Sequence, residues 1–343
     1  MDQSIAKCSV FIFLATACEH PSSEYHELTV TPDVHESEDP EVPISFSTQA
    51  IESQHDDDGF GAAITVGGGH IWVGAPHAES GTVYKISGTN QTAILTGPGR
   101  LGSHISWTTD GLWVATPLSG DGLGGVVNSD GVFIAPGTGG TGISLTAGPP
   151  AAYGTEDGWT TTDGQTFELP NRPTALAARD GQIGAGMAHG SVALQTQTNA
   201  WQRPQLDDEA GFSLATADIN ADGHTDWLVG APGSNTVHGL NGTSLETLRT
   251  WTGRGRFGGA ITACDLNGNG TLDLIIGAPQ ANGRGAVHLY IDLADEPTHT
   301  WTGHTDGSGF GFALHCDDGV LAVGAPGRAD TRGRAIIIQA NSQ

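Results

Sequence analysis

Arg256 to Tyr290 reads RFGGAITACDLNGNGTLDLIIGAPQANGRGAVHLY, and this stretch carries the plan of the whole chain. It opens on Phe257-Gly258 and runs as a small-residue, alternating segment into an Asx- and Gly-rich loop, Asp265 to Asp273. An apolar segment follows, ends at Gly277-Ala278-Pro279, turns through Asn and Gly, and leads into a last segment, AVHLY. Short apolar or alternating runs bounded by Gly, Asx and Pro are strands joined by hairpins. The same plan returns in Gly211–Leu240 (GFSLATADINADGHTDWLVGAPGSNTVHGL) and Gly309–Ile338, and earlier in Gly59–Ile86 and Arg100–Val127. Self-similarity at a fixed period is the signature of a repeat architecture. The leading aromatic or Leu is read at Phe60, Leu101, Phe212, Phe257 and Phe310, and the interval between Leu101 and Phe212 holds two more starts at about 37 residues each. Thr141–Thr162 and Ala175–Leu194 supply two degenerate units there, which brings the number to seven.

The Phe-Gly and Gly-Ala-Pro elements, seen as Phe60-Gly61 with Gly74-Ala75-Pro76 and again in later units, resemble the FG-GAP repeats of integrin α-subunits. The resemblance covers Ile44 to the C-terminus and implies an all-β, seven-bladed propeller of four-stranded blades over residues 44–343. A propeller must join its last blade to its first, or it leaves open strand edges. The segment IIIQANSQ ends three strands into the last unit, and ISFSTQAI (Ile44–Ile51) is expected to return as its fourth.

Glycine, at 52 residues, is about twice average usage, as many tight turns require. Only 15% of residues are charged, yet 38 acids face 13 Lys and Arg, for a formal charge of −25. That balance argues against a nucleic-acid partner, which would demand cations to neutralise phosphates. Met1 to Cys18 (MDQSIAKCSVFIFLATAC) reads as an export signal over residues 1–17, with Cys18 placed like the modified cysteine of bacterial lipoproteins. Residues 18–43 are acidic and Ser/Pro-rich and read as a disordered tether. The expected location is therefore the cell surface, or the medium after secretion, with the membrane reached only through a lipid anchor.

Two loops carry chemistry. Asp218, Asn220, Asp222, His224 and Asp226 in unit five, and Asp265, Asn267, Asn269, Thr271 and Asp273 in unit six, stand at loop positions 1, 3, 5, 7 and 9. Side-chain oxygens at 1, 3, 5 and 9, a backbone carbonyl at 7 and a turn glycine at 6 suit one Ca2+ each. Three carboxylates stand in the first loop against two in the second, so unit six is expected to bind the more weakly. Other units carry Asp-Gly hairpin turns instead (Asp110-Gly111, Asp180-Gly181, Asp318-Gly319). Calcium here is expected to be structural.

Cys264 and Cys316 each precede the loop acid of neighbouring units, which makes them candidates for a disulfide in an exported protein. No nucleophile elbow, HEXXH, CXXC or P-loop is present, and the expected activity is non-enzymatic. Trp72, Trp113 and Trp227 are read as core. The resemblance places the loops before strand one and after strand two on a ligand-binding face. Arg100, Arg254, Arg256, Arg284, Arg328, Arg332 and Arg334 all map there. They form either an anion-recognising patch or local pairs with acids such as Asp56 and Asp306. The expected role is recognition or adhesion by a monomer that binds an extracellular protein or glycan. The alternative is a non-catalytic propeller of an envelope complex or of a polysaccharide- or lipid-degrading system.

Overall fold

A computed structural model describes residues 44–341 apart from 57, 78–79, 118–123, 137–143, 147–150, 188–189, 197–200, 207 and 328–331. The expected export signal (residues 1–17), Cys18, the expected tether (18–43) and Arg328 lie outside the described residues.

The chain forms seven antiparallel four-stranded sheets. Blade 1 consists of Ala63–Gly67, His70–Ala75, Gly81–Ser87 and Asn90–Gly97. Blades 2 to 4 follow the same order, starting at Ile105, Leu145 and Pro173. Blade 5 is Ser213–Ala217, Asp226–Ala231, Thr236–Leu240 and Thr247–Thr252. Blade 6 is Ala260–Cys264, Asp273–Ala278, Ala286–Tyr290 and His299–Thr302. Blade 7 takes three strands from the C-terminal end (Ala313–Asp317, Val320–Ala325, Arg334–Ala340) and its outer strand, Phe46–Glu52, from the N-terminal end. The closing register runs antiparallel from Phe46 opposite Ala340 to Glu52 opposite Arg334. The first strands contact one another in a ring around the central axis.

Burial explains the segment patterns. Second strands lie between the faces of neighbouring blades and are buried throughout in blades 4, 5 and 6, so they read as continuous apolar runs. Outer strands such as Thr247–Thr252 face solvent and mix exposed with buried positions. Trp72, Trp113 and Trp227 are buried. One apolar cluster joins blade 7 to blade 1 through Phe60, Ile64, Val73, Ala322 and Ile337. Another joins blade 6 to blade 7 through Ile275, Val287, Phe310, Leu321 and Ile338.

The motif glycines make the junctions. In blades 1, 2, 5, 6 and 7 the amides of Gly61, Gly102, Gly211, Gly258 and Gly311 donate to the carbonyl of Gly74, Ala115, Gly230, Gly277 and Gly324 on the second strand of the same blade. All five adopt the left-handed conformation, with φ between 86° and 93°. Their own carbonyls press on the preceding blade: Gly102 on Gly74, Gly211 on Gly186, Gly258 on Gly230, Gly311 on Gly277, and Gly61 on Gly324 across the closure. A side chain at either partner of these pairs would meet backbone, which accounts for glycine in both halves of the motif.

This frame corrects one register. Gly211 is the motif glycine of blade 5, so the leading position is Ala210, which is buried, and not Phe212, whose ring is 46% exposed. The starts are Phe60, Leu101, Ala210, Phe257 and Phe310.

Cys264 and Cys316 form a disulfide between the first strands of blades 6 and 7, with Cα atoms 5.9 Å apart. It closes a span of 52 residues, for which loop entropy gives about 4 kcal/mol of stabilisation. Paired thermal melts with and without a dithiol reductant should show that loss. Equal melting curves would count against it.

Candidate functional site

Antiparallel topology places the strand 1–2 and strand 3–4 connections at one end of each blade, the lower face, and the others at the upper face. The two Asx-rich loops, Asp218–Asp226 and Asp265–Asp273, therefore stand on the lower face. In blade 5, Asp218 turns its carboxylate onto the loop, accepting from the Asp222 amide (3.2 Å) and the Gly223 amide (2.8 Å). Asn220 Oδ1 accepts from the Asp222 amide, and Asp222 Oδ1 from the His224 amide at 2.8 Å. Asn220 Nδ2 donates to Asp222 at 2.9 Å, and this bond, with the His224 amide, holds Asp222 below the usual carboxylate range. Asp226 has 0% exposure, and its two oxygens accept the amides of Ile219 (3.1 Å) and Gly242 (2.8 Å). Burial pushes its pKa up against those bonds, and the nearby charges of Asp222 and Asp218 add to the rise.

Blade 6 repeats the geometry. Asp265 accepts from the amides of Gly268, Asn269 and Gly270 at 2.7–3.1 Å, and Asn269 Oδ1 accepts from the Thr271 amide at 2.9 Å. Asp273, also at 0% exposure, accepts from Leu266 and from the Asp292 amide, each at 2.9 Å. Burial raises its pKa, and the charge of Asp292 contributes to the rise.

Asp292 went unread in the sequence. It lies in the short 3-10 turn Ile291–Leu293 after the third strand of blade 6, with φ at 53°. Its Oδ1 accepts from Thr271 Oγ1 and, at 2.9 Å, from Asn269 Nδ2. These two bonds hold it below the ordinary carboxylate range. Blade 5 has Gly242 at the corresponding contact. With Asp292, three carboxylates stand in or beside the blade 6 loop, as three do in the blade 5 loop. The signal available in the sequence was Asn269 standing where blade 5 has Asp222.

The side-chain oxygens turned onto each loop are mixed, carboxylates and amide oxygens. Among the described residues, no group of three or more His, Cys, Asp and Glu side chains stands at metal-holding spacing. An ionised carboxylate has acceptor capacity beyond one hydrogen bond per oxygen, so the loop bonds leave lone pairs for a hard cation.

At the upper face a funnel of about 1470 Å³ opens on the central axis. The residue after each motif glycine lines it: Ala62, Ser103, Phe212, Gly259 and Phe312. Phe212 and Phe312, 46% and 47% exposed, thus flank Gly259 on consecutive blades. The Arg256 guanidinium lies 5.2 Å from the Phe212 ring centroid and forks onto Glu209 at 2.6 and 3.4 Å. His104 also lines the funnel, and burial pulls its pKa down to about 4.

The arginines of this face are largely engaged. Besides Arg256–Glu209, Arg284 pairs with Asp306 (2.7 Å), Arg332 with Asp56 (2.7 Å) and Arg334 with Glu52 (3.0 Å). Arg100 meets His77 Nε2 at 3.0 Å. No ion pair of Arg254 is found among the described residues. Exposed pairs of this kind add little stability, but they neutralise the forks that an anionic ligand would need.

The family model of the FG-GAP repeat matches residues 210–244 and 257–290. Blades 5 and 6 are FG-GAP repeats in a seven-bladed propeller. No curated protein sequence matches the chain. Among solved structures, a streptogramin B lyase aligns at 15% identity over 86% of this chain and 98% of its own, with a TM-score of 0.62. Virginiamycin B lyase from Staphylococcus aureus aligns at 16% over 86% and 99%, TM-score 0.62. A chain of the Mitotic Checkpoint Complex aligns at 13% over 96% and 100%, TM-score 0.60. Similarity at this level of identity concerns the fold alone.

Proposed function

We propose that this FG-GAP propeller is a non-enzymatic recognition module, exported and either lipid-anchored at Cys18 or released, that captures an extracellular protein or glycan in its upper funnel. The observation that carries the reading is the pair of exposed rings, Phe212 and Phe312, on either side of Gly259 at the funnel wall. Large exposed apolar side chains that line a cavity mark contact sites, because burying them against a ligand releases their hydration. The pairing of Arg256, Arg284, Arg332 and Arg334 favours apolar and stacking contacts over a purely anionic ligand.

Two Ca2+ ions complete the proposal, one held by Asp218, Asn220, Asp222 and Asp226 and one by Asp265, Asn267, Asn269 and Asp273, with the carbonyls of His224 and Thr271. The oxygen donor set fits a hard cation. Asp226 and Asp273 add a physical motive: both are buried, both sit near other carboxylates, and both are penalised when ionised. A divalent ion would turn that repulsion into attraction. Its role is to pin the hairpins on the face opposite the funnel.

A glycan and extracellular-protein array, probed with and without chelator, identifies the ligand. The double change Phe212→Ala/Phe312→Ala should then weaken its capture by at least about tenfold, while exposed positions keep the stability change near about 0.5 kcal/mol. Undiminished capture by the double variant would rule the funnel out as the site.

A further inference from the structure

Capture of a ligand in the upper funnel, as proposed for this module, is the premise of a narrower assignment. We propose that Ser103 and His104 form the hydrogen-bonding wall of that funnel and that its ligand is a neutral oligosaccharide, held between this wall and the rings of Phe212 and Phe312. Both residues line the funnel, and Ser103 Oγ and His104 Nδ1 are buried with no hydrogen-bond partner among the described residues. A buried polar atom left unpaired is costly to the fold, and in a cavity wall it is the atom that a ligand satisfies. Blade 5 supplies the contrast. Ser213 stands two residues after the motif glycine, as His104 does in blade 2, and its hydroxyl donates to the Gly258 carbonyl at the next blade junction at 2.8 Å. There the polar side chain serves the fold, whereas in blade 2 the fold makes no use of it. The main chain beneath the two side chains is fixed. The amides of Gly102 and Ser103 donate to the carbonyls of Ala115 and Arg100, and the His104 carbonyl accepts from the Ala115 amide at 2.9 Å. Both groups are thereby in place before a ligand arrives, which lowers the cost of binding one.

Their chemistry selects the ligand. Burial keeps the His104 imidazole neutral, with its pKa down at about 4, so Nδ1 offers a hydrogen bond and no charge. The charged side chains of the lining balance, Arg100 and Arg172 against Asp208 and Glu209, and give the funnel no bias toward an anion. In the ring of first strands blade 2 lies three places from blade 5 and three from blade 6, so the polar wall faces Phe212 and Gly259 across the axis. A funnel that is aromatic on one side and hydrogen-bonding on the other fits a sugar, whose C–H faces pack on rings and whose hydroxyls both donate and accept. Its volume of about 1470 Å³ exceeds the roughly 300–1,000 Å³ of ordinary small-ligand pockets, which suits a chain of sugars over a single one.

The test is calorimetric titration of the full chain with neutral gluco-, galacto-, manno- and N-acetylglucosamine oligosaccharides, and in parallel with carboxylated oligosaccharides and unglycosylated peptides. A neutral oligosaccharide should bind, and Ser103→Ala and His104→Phe should each weaken it between about twofold and tenfold, the scale of one hydrogen bond. The melting temperature of free Ser103→Ala should not fall, because the hydroxyl it removes is buried and unpaired. Ser103→Ala carries the test alone if His104→Phe fails to fold. Neutral binding that Phe212→Ala/Phe312→Ala abolishes and Ser103→Ala leaves unchanged overturns this inference and leaves the funnel reading standing. Binding in the funnel of carboxylated oligosaccharides or peptides alone does the same. Weaker binding by a Ser103→Ala protein that also melts earlier gives Ser103 a structural role and overturns the assignment. Binding that neither the Phe pair nor Ser103→Ala affects overturns the funnel reading itself, and this inference with it.

Discussion

Removing calcium from this propeller should lower its melting temperature by about 9 °C. A site filled at a hundred times its dissociation constant stabilises the folded state by about 2.7 kcal/mol, so two sites contribute about 5.4 kcal/mol. Unfolding entropy near about 2.1 cal/mol/K per residue gives a domain of this size about 0.6 kcal/mol per degree, and the ratio is the shift. The effect originates at Asp226 and Asp273, which ionise reluctantly in the folded chain. Without an ion the lower face keeps two clusters of mutually repelling carboxylates, and with it each cluster becomes a tie between the first hairpin and, through the amides of Gly242 and Asp292, the next connection. Scanning calorimetry in excess chelator and in excess Ca2+ gives the shift directly. Magnesium should recover little of it, because these loops cannot easily provide a tight octahedron. Identical transitions in chelator and in calcium would sink the calcium sites.

The second large effect is expected at the closure. Gly324→Ala should destabilise the fold by about 5 kcal/mol or more, at the far end of what single substitutions do. A Cβ at Gly324 would run into the carbonyl oxygen of Gly61 in blade 1 and crowd the Ala313 Cβ as well. The Gly61 side of the clash is backbone and an added Cβ has no rotamer, so no side-chain movement relieves it, and the blades would have to part where the ring is sealed. Gly69→Ala is a suitable control: its Cβ would meet nothing within 4 Å, and its φ of 73° costs only local backbone strain. Chemical denaturation of the two variants separates the cases. A Gly324→Ala protein as stable as the control would mean that the junctions yield readily and that the glycines have another purpose.

Much of the fold was legible because one physical constraint repeats. Second strands are buried between neighbouring blades and the junctions need glycine, so units written five times over announce the blades. Blade 3 was the hardest to read, since its first strand, Leu145–Thr146, is two residues long and offers no periodicity. Phe212 misled for a different reason. In Gly211-Phe212 the aromatic and the glycine sit side by side, and only the Gly211 amide bonded to Gly230 shows which residue leads. The loops Asp218–Asp226 and Asp265–Asp273 were visible because their spacing is local. Asp292 was not, because it reaches Asp273 from 19 residues away through a turn with no motif of its own. The pairing of Arg256 with Glu209 and Arg334 with Glu52 likewise depends on how loops fold over one another, which spacing does not encode.

The outer strand of blade 7 also sets the order of events when the chain folds. Phe46–Glu52 pairs with Arg334–Ala340, so the last interface to form joins opposite ends of the domain. Such a contact costs the most chain entropy and comes late. Until then blade 7 shows a bare edge along Arg334–Ala340, and blade 1 lacks the carbonyl-to-glycine contact that seats it on Gly324. Blades 1 to 6 can assemble as they emerge, but as an open crescent with one sticky margin. That interval is when aggregation would compete with closure. The disulfide between Cys264 and Cys316, formed between blades 6 and 7, would shorten it by holding blade 7 in place for the incoming strand.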